Sequence, residues 1–251
     1  MTVSVAVRQW AAWSAGCSNR QEWERWFKGG VQRAPQPPDV SFLPPIQRRR
    51  LSLLSKMGLW LANECLSQVE GVQDVASVFS SQYGEYERTF GILKNLAAGE
   101  PVSPGAFSQS VHNTSSGLFS ILSGNEAAST VVSAGASTLE AGFMEAALQA
   151  RSVKGRDILY VYQDLPLPTE YETLDDTKCT EDALGLGMLL RTVAPDDKRA
   201  WHLSWQTSPD GGKLREYGPA RRVKSLVKML VQGHGRVTFD DGRLLWTWHY
   251  G

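Results

Sequence analysis

The sequence predicts an α/β fold, a layered α-β-α domain with a C-terminal β-rich extension, on the basis of three observations. Between residues 75 and 163, short apolar stretches typical of strands alternate with stretches of helical periodicity. After residue 183, strand-like stretches predominate and one segment has a helical pattern. The chain of 251 residues is long enough for one such domain and an extension.

Four elements are predicted before residue 67. Val3–Val7 alternates as a strand does, and Gln21–Phe27 is a Trp-rich turn-and-helix segment. The prolines from Pro35 to Pro45 predict an extended surface connector, because proline cannot donate a hydrogen bond to a helix or a sheet. Ile46–Leu66 has a wide apolar stripe at helical spacing, which predicts one largely buried helix.

The middle of the chain supplies the alternation of strands and helices. Tyr86–Ala98 is predicted as a helix that ends at Gly99, and Pro101–Gly105 as a loop. A further helix is predicted near Thr138–Ala150, with apolar residues along one side. Strands are predicted at Val75–Ser80, Ser129–Ser133 and Asp157–Gln163.

Two prolines, Pro166 and Pro168, lie in the connector 164–180 and predict a boundary. We therefore expect one unit at residues 1–168, and at 169–251 C-terminal strands and a helix that complete or cap the same domain. The pattern predicts strands at Ala183–Val193 and Ala200–Thr207, a helix at Pro219–Val231, and a final hairpin that turns at Asp241-Gly242.

Composition and charge exclude several classes of partner. Because 26 Lys and Arg balance 26 Asp and Glu, the overall charge does not favour a nucleic-acid partner. No apolar run approaches the roughly 20 residues of a membrane helix, and the first ten residues lack the order of a signal peptide, so we expect a cytoplasmic protein without a membrane span. Cys17, Cys65 and Cys179 are widely spaced, as is typical of free thiols in a reducing compartment.

Residue patterns alone indicate no catalytic chemistry. The four histidines lack metal-like spacing, and the sequence contains no GxSxG elbow and no paired catalytic carboxylates. We therefore expect no metal and no cofactor. The run Arg48–Arg50 fits either contact with an acidic partner or a solvated first turn of the following helix.

Three motifs in order resemble those of β-ketoacyl synthases. They are RRRLS at Arg48–Ser52, FSSQYGE at Phe79–Glu85, and SPGAFSQSVHNTSSG from Ser103 to Gly117, which continues without gaps to Ala147. The chain is most similar to the chain-length-factor family of aryl polyene pathways, over roughly residues 3 to 168. The resemblance implies a thiolase-like fold, the N-terminal half of a ketosynthase.

The resemblance also implies that the catalytic nucleophile is absent. Ketosynthases use a cysteine at the turn before a helix, where a thiolate is nucleophilic at neutral pH. The ungapped alignment places Ala136 there, and a shift of one residue would place Gly135 there. Neither side chain can attack a carbonyl, and the HTGT-like motif of the family's second half is missing. We therefore expect no catalytic residues and a catalytically inactive subunit.

An inactive copy implies a partner, because ketosynthases are dimers whose central sheets continue across the interface. We expect an active ketosynthase subunit as that partner, in a heterodimer or a dimer of heterodimers, with acyl carrier protein as an indirect partner. By the resemblance, Ala106 and Phe107 shape the acyl tunnel, and Val111, His112 and Asn113 lie in the contact strand. Plain core packing is the alternative for these residues. Arg48, Arg49 and Arg50 are candidates for contact with the carrier protein.

Two other functions fit the sequence. Ser133, Ser137 or a cysteine could serve as the nucleophile of a stand-alone acyltransferase or thioesterase, although a serine needs an adjacent base. The chain could also be a homodimeric lipid-binding module. The expected function remains that of a chain-length factor, which shapes the tunnel of an active ketosynthase during polyene or polyketide-type chain elongation.

Overall fold

The computed structural model describes residues 1–30, 34–70, 74–153, 155–171, 182–193, 197, 200–209 and 218–251. Strands are numbered β1 to β8 and helices α1 to α8 in chain order. The elements are β1 (Thr2–Ser14), α1 (Arg20–Phe27), α2 (Pro45–Arg48), α3 (Leu53–Leu66), β2 (Ala76–Ser80), α4 (Tyr86–Ala97), α5 (Pro104–Ser108), α6 (Thr114–Ser123), β3 (Ser129–Val132), α7 (Thr138–Ser152), β4 (Asp157–Asp164), β5 (Leu184–Thr192), β6 (Trp201–Thr207), α8 (Pro219–Gln232), β7 (Gly235–Asp240) and β8 (Leu244–Tyr250).

These strands form one mixed sheet in the order β3-β2-β4-β5-β1-β6-β8-β7. Strand β2 is parallel to β3 and to β4, and the remaining neighbours are antiparallel. The late strand β5 lies between β4 and β1, so residues after 168 occupy the middle of the sheet. The predicted boundary at Pro168 stays a prediction, and residues 172–181 of its connector, including Cys179, lie outside the described residues.

Helices cover both faces of the sheet, which confirms the predicted α-β-α layering. On one face α1, α7 and α8 pack over a core that includes Phe143, Tyr160 and Trp248. On the other face α3 and α6 enclose a second core that includes Met57 and Leu159. None of the described helices is long and apolar enough to cross a membrane.

Strand β1 is longer than the predicted Val3–Val7 and includes Trp10 and Trp13. It extends because β6 pairs with its first residues while β5 pairs with it as far as Ser14. A bulge between Val7 and Gln9 interrupts the alternation that the sequence pattern depends on. Most of the other predicted helices and strands occur within two residues of their predicted ends.

The single helix predicted at Ile46–Leu66 is wrong, since α2 ends at Arg48 and α3 begins at Leu53. Ser52 causes the break. Its hydroxyl caps α3 by accepting a hydrogen bond from the Ser55 amide at 2.9 Å, and it donates to the Glu85 carboxylate at 2.7 Å. A capping serine inside an apolar stripe therefore starts a new helix.

The segment between α4 and β3 differs most from the prediction. The predicted loop Pro101–Gly105 is wrong at its end, because Pro104 begins α5 and Ser103 caps it. Val111, His112 and Asn113 do not lie in a strand. They form a turn, held by the Thr114 hydroxyl and amide, which donate to the Val111 carbonyl at 2.7 and 3.1 Å. Helix α6, which follows this turn, was not predicted.

Candidate functional site

The carboxyl ends of the parallel strands β2, β3 and β4 lie on the same side of the sheet. Open α/β sheets commonly have their binding or active sites at these strand ends. The residues that follow them meet there. The buried Asp164 carboxylate ends β4 and accepts hydrogen bonds from the Ser81 hydroxyl at 2.7 Å and the Gln82 amide at 2.9 Å. The Ser133 hydroxyl, just after β3, donates to the Gln82 carbonyl at 3.0 Å. Burial raises the pKa of Asp164, although these hydrogen bonds act against that shift.

His112 joins the same edge of the sheet from the turn before α6. Its Nε2 lies 2.8 Å from the Ser81 carbonyl. Gly84 makes this approach possible, because a Cβ at that position would lie 2.8 Å from His112 Cδ2, and its φ of +59° also favours glycine. The structure therefore brings His112 and Ser133, which lies two residues before Gly135, to the neighbouring residues Ser81 and Gln82.

The predicted nucleophile turn, Gly135 and Ala136, lies in a 3-10 turn at Gly135–Ser137 that leads directly into α7. Gly135 has a φ of +55°, and space is open around its missing Cβ. Ala136 is half-buried and follows in the turn. Within the described residues, Cys17 and Cys65 are free, buried thiols on other elements, and burial raises the pKa of each. The turn itself carries no thiol.

The hydroxyl of Ser137 donates a hydrogen bond to the carboxylate of Asp241, in the turn between β7 and β8. The indole Nε1 of Trp246 donates to the same carboxylate oxygen at 2.8 Å. Partial burial acts to raise the pKa of Asp241, but the hydrogen bonds from Ser137, Trp246 and two backbone amides hold it below its ordinary value. No histidine hydrogen-bonds to Ser133 or Ser137 within the described ranges.

Arg222 of α8 ties the nucleophile turn to the C-terminal part of the chain. Its Nη1 donates to the Ala136 carbonyl at 2.9 Å and to Glu140 Oε2 at 3.1 Å. Burial raises the pKa of Glu140, and the charge of Arg222 opposes this shift. The C-terminal helix and hairpin thus contact the turn through Ala136 and Ser137. Ser133 and Gly135 are exposed to solvent.

The residues predicted to form the interface and tunnel lie on and beside α5. Ala106 is half-buried, whereas Phe107 is 64% and Val111 46% exposed. The neighbouring α4 adds exposed Leu93 and Leu96. Exposed apolar side chains thus lie on two neighbouring helices, the apolar surface of α4 and α5, and apolar patches at a protein surface are typical of interaction sites. The core-packing alternative does not hold for Phe107.

Strand β3 forms one edge of the sheet. Its residues Ser129–Val132 are exposed or half-buried, and its outer backbone groups face away from β2. A short strand without a Lys or Pro at a sheet edge can pair with a strand of another chain.

Arg48 is the last residue of α2, and Arg49 and Arg50 form the exposed turn that follows it; together they are the basic turn of this surface. Arg48 and Arg49, together with Lys56, line an open cleft of about 510 Å³ beside the Pro37–Pro38 connector. The Arg50 carbonyl accepts a hydrogen bond from Arg88 of α4 at 2.6 Å, which links this basic turn to the apolar surface of α4 and α5.

Comparison with known proteins identifies the family. The model of the β-ketoacyl synthase N-terminal domain matches residues 21–249. The chain belongs to this family.

Solved structures agree with this assignment. A chain of the ketosynthase ApeO in complex with its chain-length factor ApeC, from Xenorhabdus doucetiae, is similar at 26% identity with a TM-score of 0.80, covering 98% of this chain and 99% of that one. A chain of the ishigamide ketosynthase/chain-length factor has 12% identity and a TM-score of 0.65, with 99% of each chain covered. A chain of AntDE:AntF, a type II polyketide synthase carrier protein in complex with its ketosynthase, has 9% identity and a TM-score of 0.68, again with 99% of each covered. No curated protein matches.

Sequence reasoning missed Asp241, Arg222 and Glu140. In the sequence, the Asp241-Gly242 pair indicates only a hairpin turn. A signal for Glu140 existed, because it shares a helix face with Phe143 and Ala147 and so places a carboxylate among apolar residues. Across the described ranges, no three His, Cys, Asp or Glu residues converge as a metal site would require.

Proposed function

We propose that this ketosynthase-like protein is a non-catalytic chain-length factor, which pairs with an active β-ketoacyl-acyl carrier protein synthase. The observation that carries the proposal is the turn that leads into α7, in a chain that the family model matches over residues 21–249: the position that the resemblance assigns to the nucleophile is Ala136, which has no attacking group. An alanine methyl group can neither form a thioester nor exchange a proton. The partner would supply the cysteine.

Ala136, rather than Gly135, is the proposed nucleophile position. Gly135 adopts a left-handed backbone, which costs a residue with a Cβ about 1 kcal/mol. Ala136, the next residue of the same 3-10 turn, does not have a positive φ, so an ordinary side chain is tolerated there. A cysteine would therefore fit at 136 with less strain.

The proposed partner surface consists of the β3 edge together with α4 and α5. Pairing at Ser129–Val132 would continue the sheet into the partner. Burial of Phe107 and Leu96 would remove two large apolar side chains from water, at roughly 1.5–3 kcal/mol for each that is fully buried. Ala106, half-buried beside Phe107, would then face the acyl tunnel of the partner. Val111, His112 and Asn113 would add contacts from the adjoining turn.

The similar structures support a heterodimer, or a dimer of heterodimers, in aryl polyene or polyketide-type synthesis. One is a ketosynthase with its chain-length factor, and another contains a carrier protein. The basic turn Arg48–Arg50 is the proposed contact with the acyl carrier protein. Free, buried Cys17 and Cys65 are consistent with the reducing cytoplasm as the compartment.

One observation favours a second function, that of a stand-alone acyltransferase or thioesterase. Ser137 hydrogen-bonds to a carboxylate, as a serine nucleophile does to its base. A carboxylate whose pKa is lowered is, however, a poor base at neutral pH, because it has little affinity for the proton of the hydroxyl. We therefore rank this function second.

Co-expression with a β-ketoacyl synthase from the same gene neighbourhood tests the proposal. We expect the two chains to co-elute as a stable complex in size-exclusion chromatography, and the complex, but neither chain alone, to extend an acyl carrier substrate. A chain that elutes alone at micromolar concentration in the presence of that synthase would contradict the proposal.

A further inference from the structure

The N-terminus of α7 attracts negative charge. A helix of 15 residues presents unpaired backbone amides at its first turn, with a partial positive charge of about half an elementary unit. In a cysteine enzyme such a terminus lowers the pKa of the thiol and stabilises the thiolate. Here the residues just before the helix, Gly135 to Ser137, include no acidic or thiol side chain.

A carboxylate from elsewhere in the chain is held beside this terminus by the side chain of Ser137, the residue that precedes α7. Asp241 Oδ2 accepts hydrogen bonds from Ser137, which precedes α7, and from Trp246 Nε1 at 2.8 Å. Asp241 Oδ1 accepts from the backbone amides of Arg243 at 2.8 Å and Leu244 at 2.6 Å, so the hairpin turn holds the carboxylate in place.

Two further charged groups of the described part of the chain lie at this turn and pair with each other. Glu140, in the first turn of α7, bonds to Arg222 of α8, and Arg222 also bonds to the Ala136 carbonyl. Arg222 therefore places a positive charge at the Ala136 carbonyl, and the Glu140 carboxylate, to which the same guanidinium group bonds, offsets this charge in part. Asp241 then contributes a further negative charge beside the turn.

We infer that Asp241 takes the place of the catalytic thiolate as the anion at the N-terminus of α7, and so keeps any thiol at residue 136 protonated. Accordingly, restoring the cysteine alone does not restore a reactive nucleophile. The inference rests on the proposed function in taking Ala136 as the nucleophile position. It adds that the C-terminal hairpin supplies, through Asp241, the negative charge that a thiolate would carry.

Three variants test this role: Ala136→Cys, Ala136→Cys with Asp241→Asn, and, as a matched control, Ala136→Cys with Asp182→Asn, which removes an exposed carboxylate paired with Lys224. Each is treated with iodoacetamide across a pH series. The thiolate forms a C–S bond, iodide leaves and the thiol proton passes to buffer. Mass spectrometry of the peptide that contains residue 136 gives the rate at that site, separate from the native cysteines.

We expect the Ala136→Cys thiol to titrate at or above the ordinary value of about 8.5, with Asp182→Asn leaving this unchanged. Asp241→Asn should lower the midpoint by about one unit, which raises the rate at pH 7 roughly tenfold. An Asp241→Glu variant, which retains the charge, should remain slow. Equal midpoints with and without Asp241, or a midpoint well below 8 for Ala136→Cys alone, would overturn the inference.

Circular dichroism checks that Asp241→Asn folds. If it does not, Ala136→Cys alone is titrated at low and at high salt, since salt weakens the effect of a half-buried carboxylate such as Asp241, although less than that of a fully exposed one. A midpoint that falls with salt supports the inference, and an unchanged one overturns it. Complex formation with the ketosynthase is measured separately on the wild-type chain, so a failure of the proposed function is distinguishable from a failure of this inference.

Discussion

Arg222 of α8 and Glu140 of α7 form an ion pair of 3.1 Å, Nη1 to Oε2, between side chains that are 2% and 0% exposed. The same guanidinium group bonds to the Ala136 carbonyl and lies over the Phe239 ring of β7. This arrangement joins the turn before α7 to the C-terminal helix and hairpin. The C-terminal region is therefore part of the candidate site.

Arg222→Met should lower the free energy of unfolding by about 3–5 kcal/mol, because it leaves the Glu140 carboxylate buried without its counter-charge. Adding Glu140→Gln should recover much of the lost free energy of unfolding, because it removes the buried negative charge of Glu140. Urea unfolding monitored by tryptophan fluorescence measures both. Lys228→Met, at an exposed position of the same helix, is the control, with a change expected within about 0.5 kcal/mol.

The same variant should show a specific pH dependence. Burial raises the pKa of Glu140 above its unfolded value of about 4.3, so the folded state favours the protonated carboxyl. The free energy of unfolding of Arg222→Met should therefore be greatest at pH values below the unfolded pKa of Glu140. It should fall as the pH rises through the higher pKa of the folded state. If Arg222→Met lowers the free energy of unfolding equally at pH 5 and pH 8, the buried charge of Glu140 is not the cause of the destabilisation.

The layered fold was predictable from the sequence because it depends on local patterns. Val75–Ser80 and Asp157–Gln163 are apolar runs of strand length, and the Asp241-Gly242 pair indicates a hairpin. These short-range signals hold wherever tertiary contacts agree with them. The sheet order was not predictable, since the insertion of β5 between β4 and β1 depends on contacts between distant residues.

The candidate site was predictable only in part. The motifs located Ala136 and Phe107, but the partners of the turn, Arg222 and Asp241, follow it by more than 80 residues. A single sequence carries no pairing signal over such a distance. Helix α6 was missed for a local reason, because its first turn, Thr114 to Ser116, is rich in residues that favour turns as much as helices.

Phe107→Asp should weaken the complex with the ketosynthase at least tenfold, because it places a charge in the proposed apolar interface. Its 64% exposure means that the lone chain should keep its stability. Isothermal titration or analytical ultracentrifugation measures the affinity. Thr238→Asp, which adds the same charge on the exposed edge strand β7 at the other end of the sheet, should leave binding unchanged; equal weakening by both would locate the interface elsewhere.

Ala106→Trp should shorten the products of the complex without preventing its assembly, because a larger side chain would reduce the length of the proposed tunnel. Ser108→Trp is the matched control, since two residues along a helix turn about 200° and point the side chain away. Liquid chromatography with mass spectrometry compares chain lengths. The tunnel role of Ala106 fails if the product distribution is unchanged while the complex remains intact.

Arg49→Glu should weaken the interaction of the complex with acyl carrier protein by roughly tenfold, since it reverses a charge in the basic cleft formed with Arg48 and Lys56. The effect should diminish at high salt, because exposed charges are screened. Surface plasmon resonance with immobilised carrier protein measures it. Arg236→Glu, on exposed β7, is the control, and an equal loss there would indicate a general charge effect.

The central claim, that this chain lacks a nucleophile and acts through a competent partner, is tested most directly by intact-protein mass spectrometry. The purified chain and the reconstituted complex are each incubated with an acyl-carrier-protein thioester. We predict an acyl adduct on the ketosynthase partner and none on this chain in either sample. An acyl adduct on this chain, at Ser133, Ser137 or a cysteine, would contradict the account.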